Sequence, residues 1–417
     1  MKILLVTLVC QTCLYYNDLY DLKVTENFQE LGIRLLQALG AAAILLAGIY
    51  TIFPETVIEK GVFVASIAFV ILLIVSWRFG YMLVLNRGMF DKKIIVLGSG
   101  ELAKNIINGI NERKDCGYSV LATVQESPGD MDCPGEKNKT PICKKDYDGL
   151  CEMAEMMGVS KIVVALAERR RNFPTKELLR CRVNGIDVID GTSFYEMLTG
   201  KLIVELINPA WLIFSEGFHK SRTRRFFKRA TDLFFSSFGL ILLSPLIFFV
   251  AILIKVDSKG PVFFSQERVG EKRKPYRIYK FRSMVADAEV QTGPVWAKDN
   301  DDRITRAGSF IRKLRIDEIP QLWNVLKGNM SFVGPRPERE FFVKKLDEII
   351  PYYGERFTVK PGVTGWAQVS YGYGASIEGA VEKLNYDLFY IKNMSTLMDL
   401  MIVLRTTKIV LFGKGAR

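Results

Sequence analysis

The sequence predicts a membrane-associated α/β protein in three parts: transmembrane helices first, then a doubly wound α/β domain, then a C-terminal half built around a further membrane element. Three observations predict it. Two apolar runs, Gly32 to Phe53 and Gly61 to Trp77, stand near the start of the chain. From Asp91 the pattern changes to short apolar strands alternating with amphipathic stretches. Leu233 to Ile254 then carries no charge, although both of its flanks are basic. At 417 residues, two or three domains fit the usual size of roughly 100 to 200 residues each.

Composition narrows the class. A formal charge of +12 with a positive mean hydropathy suits a membrane protein with a basic cytoplasmic face and argues against a soluble nucleic-acid binder. The seven cysteines are scattered and all lie outside the C-terminal half, so no disulfide framework is expected. Cys10 and Cys13 form a C-x-x-C inside an apolar run with no second pair nearby, and they read as small apolar side chains of a membrane helix. The single histidine, His219, excludes a histidine-rich metal site.

Residues 1–90 are expected to form the transmembrane part. The first apolar run is interrupted only by Arg34 and Gln37 near one end, and a span needs about 20 apolar residues. The two runs read as a hairpin turning at Pro54 to Lys60. The opening "MKILLVTLVCQTCLYY" lacks a small-residue cleavage site and reads as the end of a span rather than a signal peptide. Arg78, Arg87, Lys92 and Lys93 place the next domain in the cytoplasm.

Residues 91–200 are expected to form a small α/β domain, from "KKIIVLGSGELAKNIINGI", "SVLATVQE", "SKIVVALAE" and "GIDVID". Gly98, Gly100 and Ala103 match G-x-G-x-x-A directly after an apolar strand, the Rossmann-like pattern that lets backbone amides approach a pyrophosphate. Glu126 is the candidate ribose-binding acid, placed somewhat later than usual. The same glycines also suit a tight strand-to-helix turn for purely steric reasons, and both readings stand.

Residues 201–224 read as a linker and 225–417 as the last domain. Six basic residues between Lys220 and Arg229 precede the uncharged segment, as for an approach to anionic headgroups. Ser244-Pro245 at its middle predicts a break, because proline removes an amide and clashes with the preceding turn. A kinked span and a re-entrant helix over 233–254 are both open, with the basic flanks on either side favouring re-entry.

Further on, Arg268, Lys272, Arg273, Lys274, Arg277, Lys280 and Arg282 crowd one short region suited to lipid headgroups or polyphosphate. In "IRKLRIDEIPQLWNVLKGNMSFVGPRPERE", Pro320 fits the first turn of a helix with Leu322, Val325 and Leu326 on one face, and Lys327-Gly328 stops it. Asp317 then falls at or just before that helix's N-terminus, where it either caps the helix or stays ionised as a nucleophile. Glu318 is expected to point elsewhere, free to hold a divalent cation, with Arg312 and Arg336 flanking the pair as phosphate ligands.

These segments resemble a known family. "KRATDL", "GPVFFSQERVG", "YKFRSM", "RKLRIDEIPQLWNVLKGNMSFVGPRP", "KPGVTGWAQV" and "YDLFYIKN" are similar to the bacterial sugar transferases, the monotopic phosphoglycosyl transferases also called polyisoprenyl-phosphate hexose-1-phosphate transferases. The two N-terminal parts resemble larger members that initiate exopolysaccharide, capsule or O-antigen synthesis. "WLIFSEGF" and "FGKGAR" resemble an exosortase-associated subgroup.

The resemblance implies Mg²⁺-dependent transfer of a sugar 1-phosphate from a nucleoside diphosphate sugar, usually a UDP-sugar, to undecaprenyl phosphate, with Mn²⁺ as a substitute metal. It implies a catalytic Asp317–Glu318 dyad, with Glu318 on the metal and Arg312, Arg336, Lys280 and Arg282 on substrate phosphates. It implies a location at the cytoplasmic face of the bacterial inner membrane, and it allows a homodimer. Many relatives carry Gly-Arg-Asn where this chain has "SYGYGAS". A catalytically silent nucleotide-binding scaffold is the competing reading, opposed by the intact dyad. An oxidoreductase or epimerase is opposed by the missing Tyr-x-x-x-Lys pair.

Overall fold

The computed structural model describes residues 2–20, 28–56, 61, 69–77, 79–81, 91–113, 115–124, 147–166, 173–207, 214–215, 217–218, 220–285, 303–372, 374 and 376–412. The expected turn at 57–60, most of the first half of the second span, Arg78, Arg87, Glu126, Cys133, Cys143, His219 and the 413–417 end lie outside them. The chain divides into two units, Met1–Ile189 and Asp190–Arg417.

In the first unit, α1 (Lys2–Tyr16) packs on α2 (Phe28–Ile52). Cys13, Leu14 and Leu19 meet Leu31, Leu35, Ala38 and Ala42, the last four at helical spacing on one stripe. Cys13 is thus a core side chain, as its apolar context suggests. Among the described helices α2 is the one long and apolar enough to cross a membrane. Its Arg34 is tolerated because Glu30 and Asp18 bind it at 2.8 and 3.0 Å.

The α/β part follows as β1 (Lys92–Leu97), α3 (Glu101–Asn111), β2 (Tyr118–Val124), α4 (Leu150–Met156), β3 (Lys161–Val164), α5 (Thr175–Val183) and β4 (Asp187–Asp190). The sheet order is β2-β1-β3-β4, and β1 runs parallel to both neighbours. Its Ile94 to Leu97 are wholly buried, as expected for a strand covered on both faces. Gly98 has φ +121°, and a Cβ there would lie 2.4 Å from the Ala165 carbonyl oxygen. The β1–α3 turn therefore needs glycine for close backbone approach to the strand beside it. Ala103 is buried with Ile106 and Ile110 on the inner face of α3.

The second unit starts at Asp190, before the boundary expected at 200. Helix α6 (Gly191–Thr199) is N-capped by Asp190, whose side chain accepts from the Ser193 amide. The supposed linker after it is core: Leu202, Val204 and Ile207 are buried in this unit's main cluster. Asn385 Oδ1 accepts from the Val204 amide at 2.9 Å, and Trp366 Nε1 donates to the Gly200 carbonyl at 2.8 Å.

Next come α7 (Arg222–Leu242) and α8 (Ser244–Asp257), bent by 59° at a break on Leu243. Pro245 lies in the first turn of α8, where its missing amide costs nothing, so it starts a helix rather than interrupting one. Ser244 Oγ donates to the Ile241 carbonyl at 2.8 Å and satisfies a group the break releases. Phe234, Phe238, Ile241, Phe248 and Phe249 of this pair are exposed.

The basic run before the bend is only partly a surface feature. Lys220 donates to the carbonyls of Gly217 and Lys392, Lys228 to Asp399 and Tyr390, and Arg229 to the Val325 and Leu326 carbonyls. Arg222, Arg224 and Arg225 remain exposed. Beyond the bend, β5 (Phe263–Val269) and β6 (Pro275–Phe281) form an antiparallel hairpin, with Phe263 opposite Phe281 and Val269 opposite Pro275. Then follow α9 (Arg306–Lys313), α10 (Gln321–Lys327), β7 (Ser331–Val333), α11 (Glu340–Ile349), β8 (Gly362–Thr364), α12 (Trp366–Ser370), α13 (Ile377–Asn393) and α14 (Thr396–Phe412).

Candidate active site

The dyad does not begin a helix. Asp317 and Glu318 close a separate 3₁₀ turn, Ile316–Glu318, that is entered through Arg315 in the left-handed region at φ 54°. Pro320 is the N-cap of α10, and no side chain caps it. The expected capping role of Asp317 is therefore absent: it lies three residues before that N-cap.

Three elements bring cations to this turn. Strand β6 carries Lys280, and Asn324 of α10 fixes that strand: its Nδ2 donates to the Arg277 carbonyl at 2.7 Å, and its Oδ1 accepts from the Tyr279 amide at 3.0 Å. A carboxamide here replaces a neighbouring strand at the sheet edge. The loop after β7 carries Arg336. It is held because β7 and β8 pair parallel, and a Cβ on Gly334 would sit 2.4 Å from the Lys360 carbonyl oxygen. Arg356, itself bound to Asp387 at 2.9 Å, donates to the Arg336 carbonyl at 2.9 Å. From α7, Asp232 accepts from Ser331 Oγ and the Phe332 amide, tying the bent helix pair to the same strand. Helix α9 supplies Arg312 in its last turn.

The two carboxylates end up in different electrostatic states. Lys280 Nζ and Arg336 Nη2 both donate to Glu318 Oε1, at 2.9 and 2.7 Å. Burial pushes the Glu318 carboxyl up, but Arg336 and Lys280 outweigh it and hold the group well below the usual carboxylate range. Asp317 accepts no hydrogen bond among the described residues. Burial pushes it up to about 6, with Glu318 adding and Lys280, Arg336 and Arg312 opposing. Environments that drive paired carboxyls apart assign them different tasks. Here one is a locked anion, and the other is an ionisable group with no hydrogen-bond partner among the described residues.

Several expectations change. Glu318 is not free, because one of its oxygens already serves two cations. Lys280 and Arg336 do reach the dyad, and Arg312 lies within its electrostatic range. Arg282 does not reach it: buried, it donates to the Ser258 carbonyl and hydroxyl at 2.8 Å and to the Lys259 carbonyl at 3.0 Å, and so closes the turn after α8. Arg268 and Arg273 of the same cluster bind Gln266 and Asp347. Sequence reasoning missed Arg315, Asn324 and Asp232. Asn324 carried no signal, because at about 100° per residue it lies opposite the Leu322, Val325 and Leu326 face, although it is buried.

Among the described residues no group of three or more His, Cys, Asp or Glu could hold a metal. A divalent ion would have to use one or two dyad carboxylates together with substrate oxygens, which is how Mg²⁺ ordinarily binds beside a phosphate substrate. The donor set fits on that condition.

The turn thus holds a carboxylate pair of split ionisation among Lys280, Arg312 and Arg336. The bacterial sugar transferase family matches residues 223–413, and a CoA-binding domain family matches residues 16–189. The chain is 44% identical over 240 residues to a UDP-N-acetylgalactosamine-undecaprenyl-phosphate N-acetylgalactosaminephosphotransferase of Aeromonas hydrophila, covering 58% of this chain and 56% of that one. It is 30% identical over 381 residues to the undecaprenyl-phosphate galactose phosphotransferase of Salmonella typhimurium, covering 87% and 78%. To the undecaprenyl-phosphate glucose phosphotransferase of Komagataeibacter xylinus it is 31% identical over 332 residues, covering 78% and 60%. This chain belongs to the bacterial sugar transferase family. It spans little more than half the length of the Aeromonas relative. The three relatives name three different sugars, so likeness to them selects none.

Proposed function

We propose that this chain transfers a sugar 1-phosphate from a nucleoside diphosphate sugar, of the UDP-sugar class, to undecaprenyl phosphate at the cytoplasmic face of an inner membrane, initiating repeat-unit synthesis. The observation that carries it is the split dyad within the matched family segment. Asp317, unpaired among the described residues and mostly ionised at neutral pH, attacks the sugar-bearing phosphorus. The bond from that phosphorus to the bridging oxygen breaks, and the nucleoside monophosphate leaves. An oxygen of the lipid phosphate then attacks the same phosphorus, and the bond to Asp317 breaks.

Lys280 and Arg336 hold non-bridging oxygens while negative charge builds on the leaving group. Arg312 acts on Asp317 through its charge. Glu318 orients these cations in the resting site and, with the diphosphate, would hold Mg²⁺. That ion would neutralise leaving-group charge as a Lewis acid.

The bent pair α7–α8 supports a re-entrant reading. Basic groups stand on both sides of it, its aromatic faces are exposed, and Asp232 links it to the strand that leads to Arg336. A lipid phosphate and a soluble nucleotide sugar would then meet at the interface.

Membranes carrying the chain are incubated with labelled UDP-sugars and undecaprenyl phosphate. Labelled lipid and UMP are expected, and donor alone should leave a sugar-phosphate adduct on Asp317 by mass spectrometry. Neither product with any donor would overturn the reading.

A further inference from the structure

Asn324 is wholly buried in the short helix α10. A carboxamide in such a place costs free energy unless both of its ends are bonded. Both are, and to one strand: Nδ2 donates to the Arg277 carbonyl at 2.7 Å, and Oδ1 accepts from the Tyr279 amide at 3.0 Å. The β5–β6 sheet has two strands, so this edge of β6 meets a side chain instead of a third strand. An apolar residue at 324 would leave one donor and one acceptor of the backbone without partners.

The clamp joins two parts of the site. On the strand, Ile278 lies between the two bonded residues and is buried with Val325 and Met330. Lys280 shares its face of the strand and follows Tyr279 directly, its Nζ donating to Glu318 Oε1 at 2.9 Å. On the helix side, the dyad turn runs into α10 without a break. The Ile319 amide donates to the Ile316 carbonyl at 3.1 Å, the Leu322 amide to the Ile319 carbonyl at 3.0 Å, and the Trp323 amide to the Pro320 carbonyl at 3.1 Å. The hairpin is also held at its turn end, where Val269 stands opposite Pro275 and its amide donates to the Glu338 carbonyl at 3.0 Å. At a rise of about 3.4 Å per residue, Lys280 is about 17 Å along the strand from that anchor. The Asn324 clamp is much the nearer.

We propose that Asn324 is a positioning residue: its carboxamide fixes β6 on α10 and thereby holds the Lys280 ammonium where the reacting phosphate meets the dyad. This rests on the transfer reaction proposed above, in which Lys280 binds non-bridging phosphate oxygens. An ammonium on a flexible four-carbon stem does not place itself. A strand released from the helix lets it stray, and a misplacement of about 1 Å at a reacting group can cost about a hundredfold in rate.

The test uses the full chain in detergent or nanodiscs and compares wild type, Asn324→Ala, Lys280→Met and the double variant. UDP affinity is measured by calorimetry in excess chelator, the UDP-sugar KM through UMP release, and the thermal midpoint alongside. Lys280→Met is expected to weaken UDP about tenfold. Asn324→Ala is expected to weaken it at least about fivefold, and the double variant should bind within about twofold of Lys280→Met, because a misplaced lysine and a missing one are alike to the phosphate. Asn324→Ser, whose hydroxyl still meets one of the two backbone groups, should fall between wild type and Asn324→Ala, and it carries the cycle if Asn324→Ala does not fold. A lowered midpoint with wild-type UDP affinity and KM makes Asn324 a structural residue only and overturns the proposal. Losses that multiply in the double variant overturn it too, as does unchanged affinity in Lys280→Met, since Asn324 is given no role except through Lys280. If wild type neither binds UDP nor releases UMP from any UDP-sugar, the reading of the whole site fails and the positioning role with it.

Discussion

The acid limb of the first half-reaction tests the split dyad directly. On the proposed mechanism, UMP release with donor alone requires only that Asp317 be ionised, and the lipid phosphate, which titrates in the same range, is absent from the measurement. With Asp317 pushed up to about 6, its ionised fraction is about one-eleventh at pH 5 and about ten-elevenths at pH 7. The single-turnover rate constant for UMP release should therefore fall about tenfold from pH 7 to pH 5. A carboxyl at its ordinary value would lose less than about a tenth of its activity over the same interval.

Asp387 is a second carboxyl raised to about 6, by burial against the pull of Arg356. Asp387→Asn should keep the limb if Asp317 is its source. The stability sign follows from the same shift. A raised folded pKa means that the folded state resists ionising Asp317, so stability falls as pH rises from 3.8 through about 6. Asp317→Asn should melt above wild type at pH 7.5 and match it below about pH 4. A rate constant flat from pH 5 to 8, or a limb lost in Asp387→Asn, would refute the assignment.

In Glu318→Gln, Lys280 and Arg336 lose their anion, so UDP should bind several-fold tighter in excess chelator while turnover falls at least about a hundredfold; calorimetry in EDTA checks the first half, and unchanged affinity counts against the ion-pair geometry. Gly98→Ala forces a methyl against the Ala165 carbonyl and should destabilise the first unit by roughly 2 kcal/mol or more, read as earlier proteolysis of the α/β part whether or not nucleotide is added. A chain beginning at Asp190 should remain monodisperse in detergent, whereas one beginning at 208 should aggregate for lack of Leu202, Val204 and Ile207; equal size-exclusion profiles would contradict the core assignment.

The sequence by itself determined the features whose causes are local. An apolar run of sufficient length makes α2. Alternating short strands and amphipathic stretches make the parallel sheet. Pro245 and Pro320 mark helix starts, because a ring without an amide fits there, and Gly328 ends α10 in the left-handed region. The dyad and the arginine of "GPRP" were legible for a related reason, since adjacent opposite charges around a short helix are a local pattern.

Only the tertiary structure decided which charges meet. Lys280 and Glu318 are 38 residues apart, and Asp232 and Phe332 are 100 apart. No window of sequence distinguishes Lys280, which reaches the dyad, from Arg282 two residues on, which turns to the Ser258 carbonyl. Strand alternation would put i and i+2 on one face, but Arg282 lies just beyond the end of β6, where that alternation no longer sets its direction. The same holds for Lys220, Lys228 and Arg229, which looked like a solvated approach to a membrane and turned inward to carbonyls and Asp399. A buried basic group needs a partner, and the partners come from distant chain segments. Burial and pairing are properties of the packed unit, which is why Glu318 became a held anion and Asp317 an ionisable one although the two are neighbours in the chain.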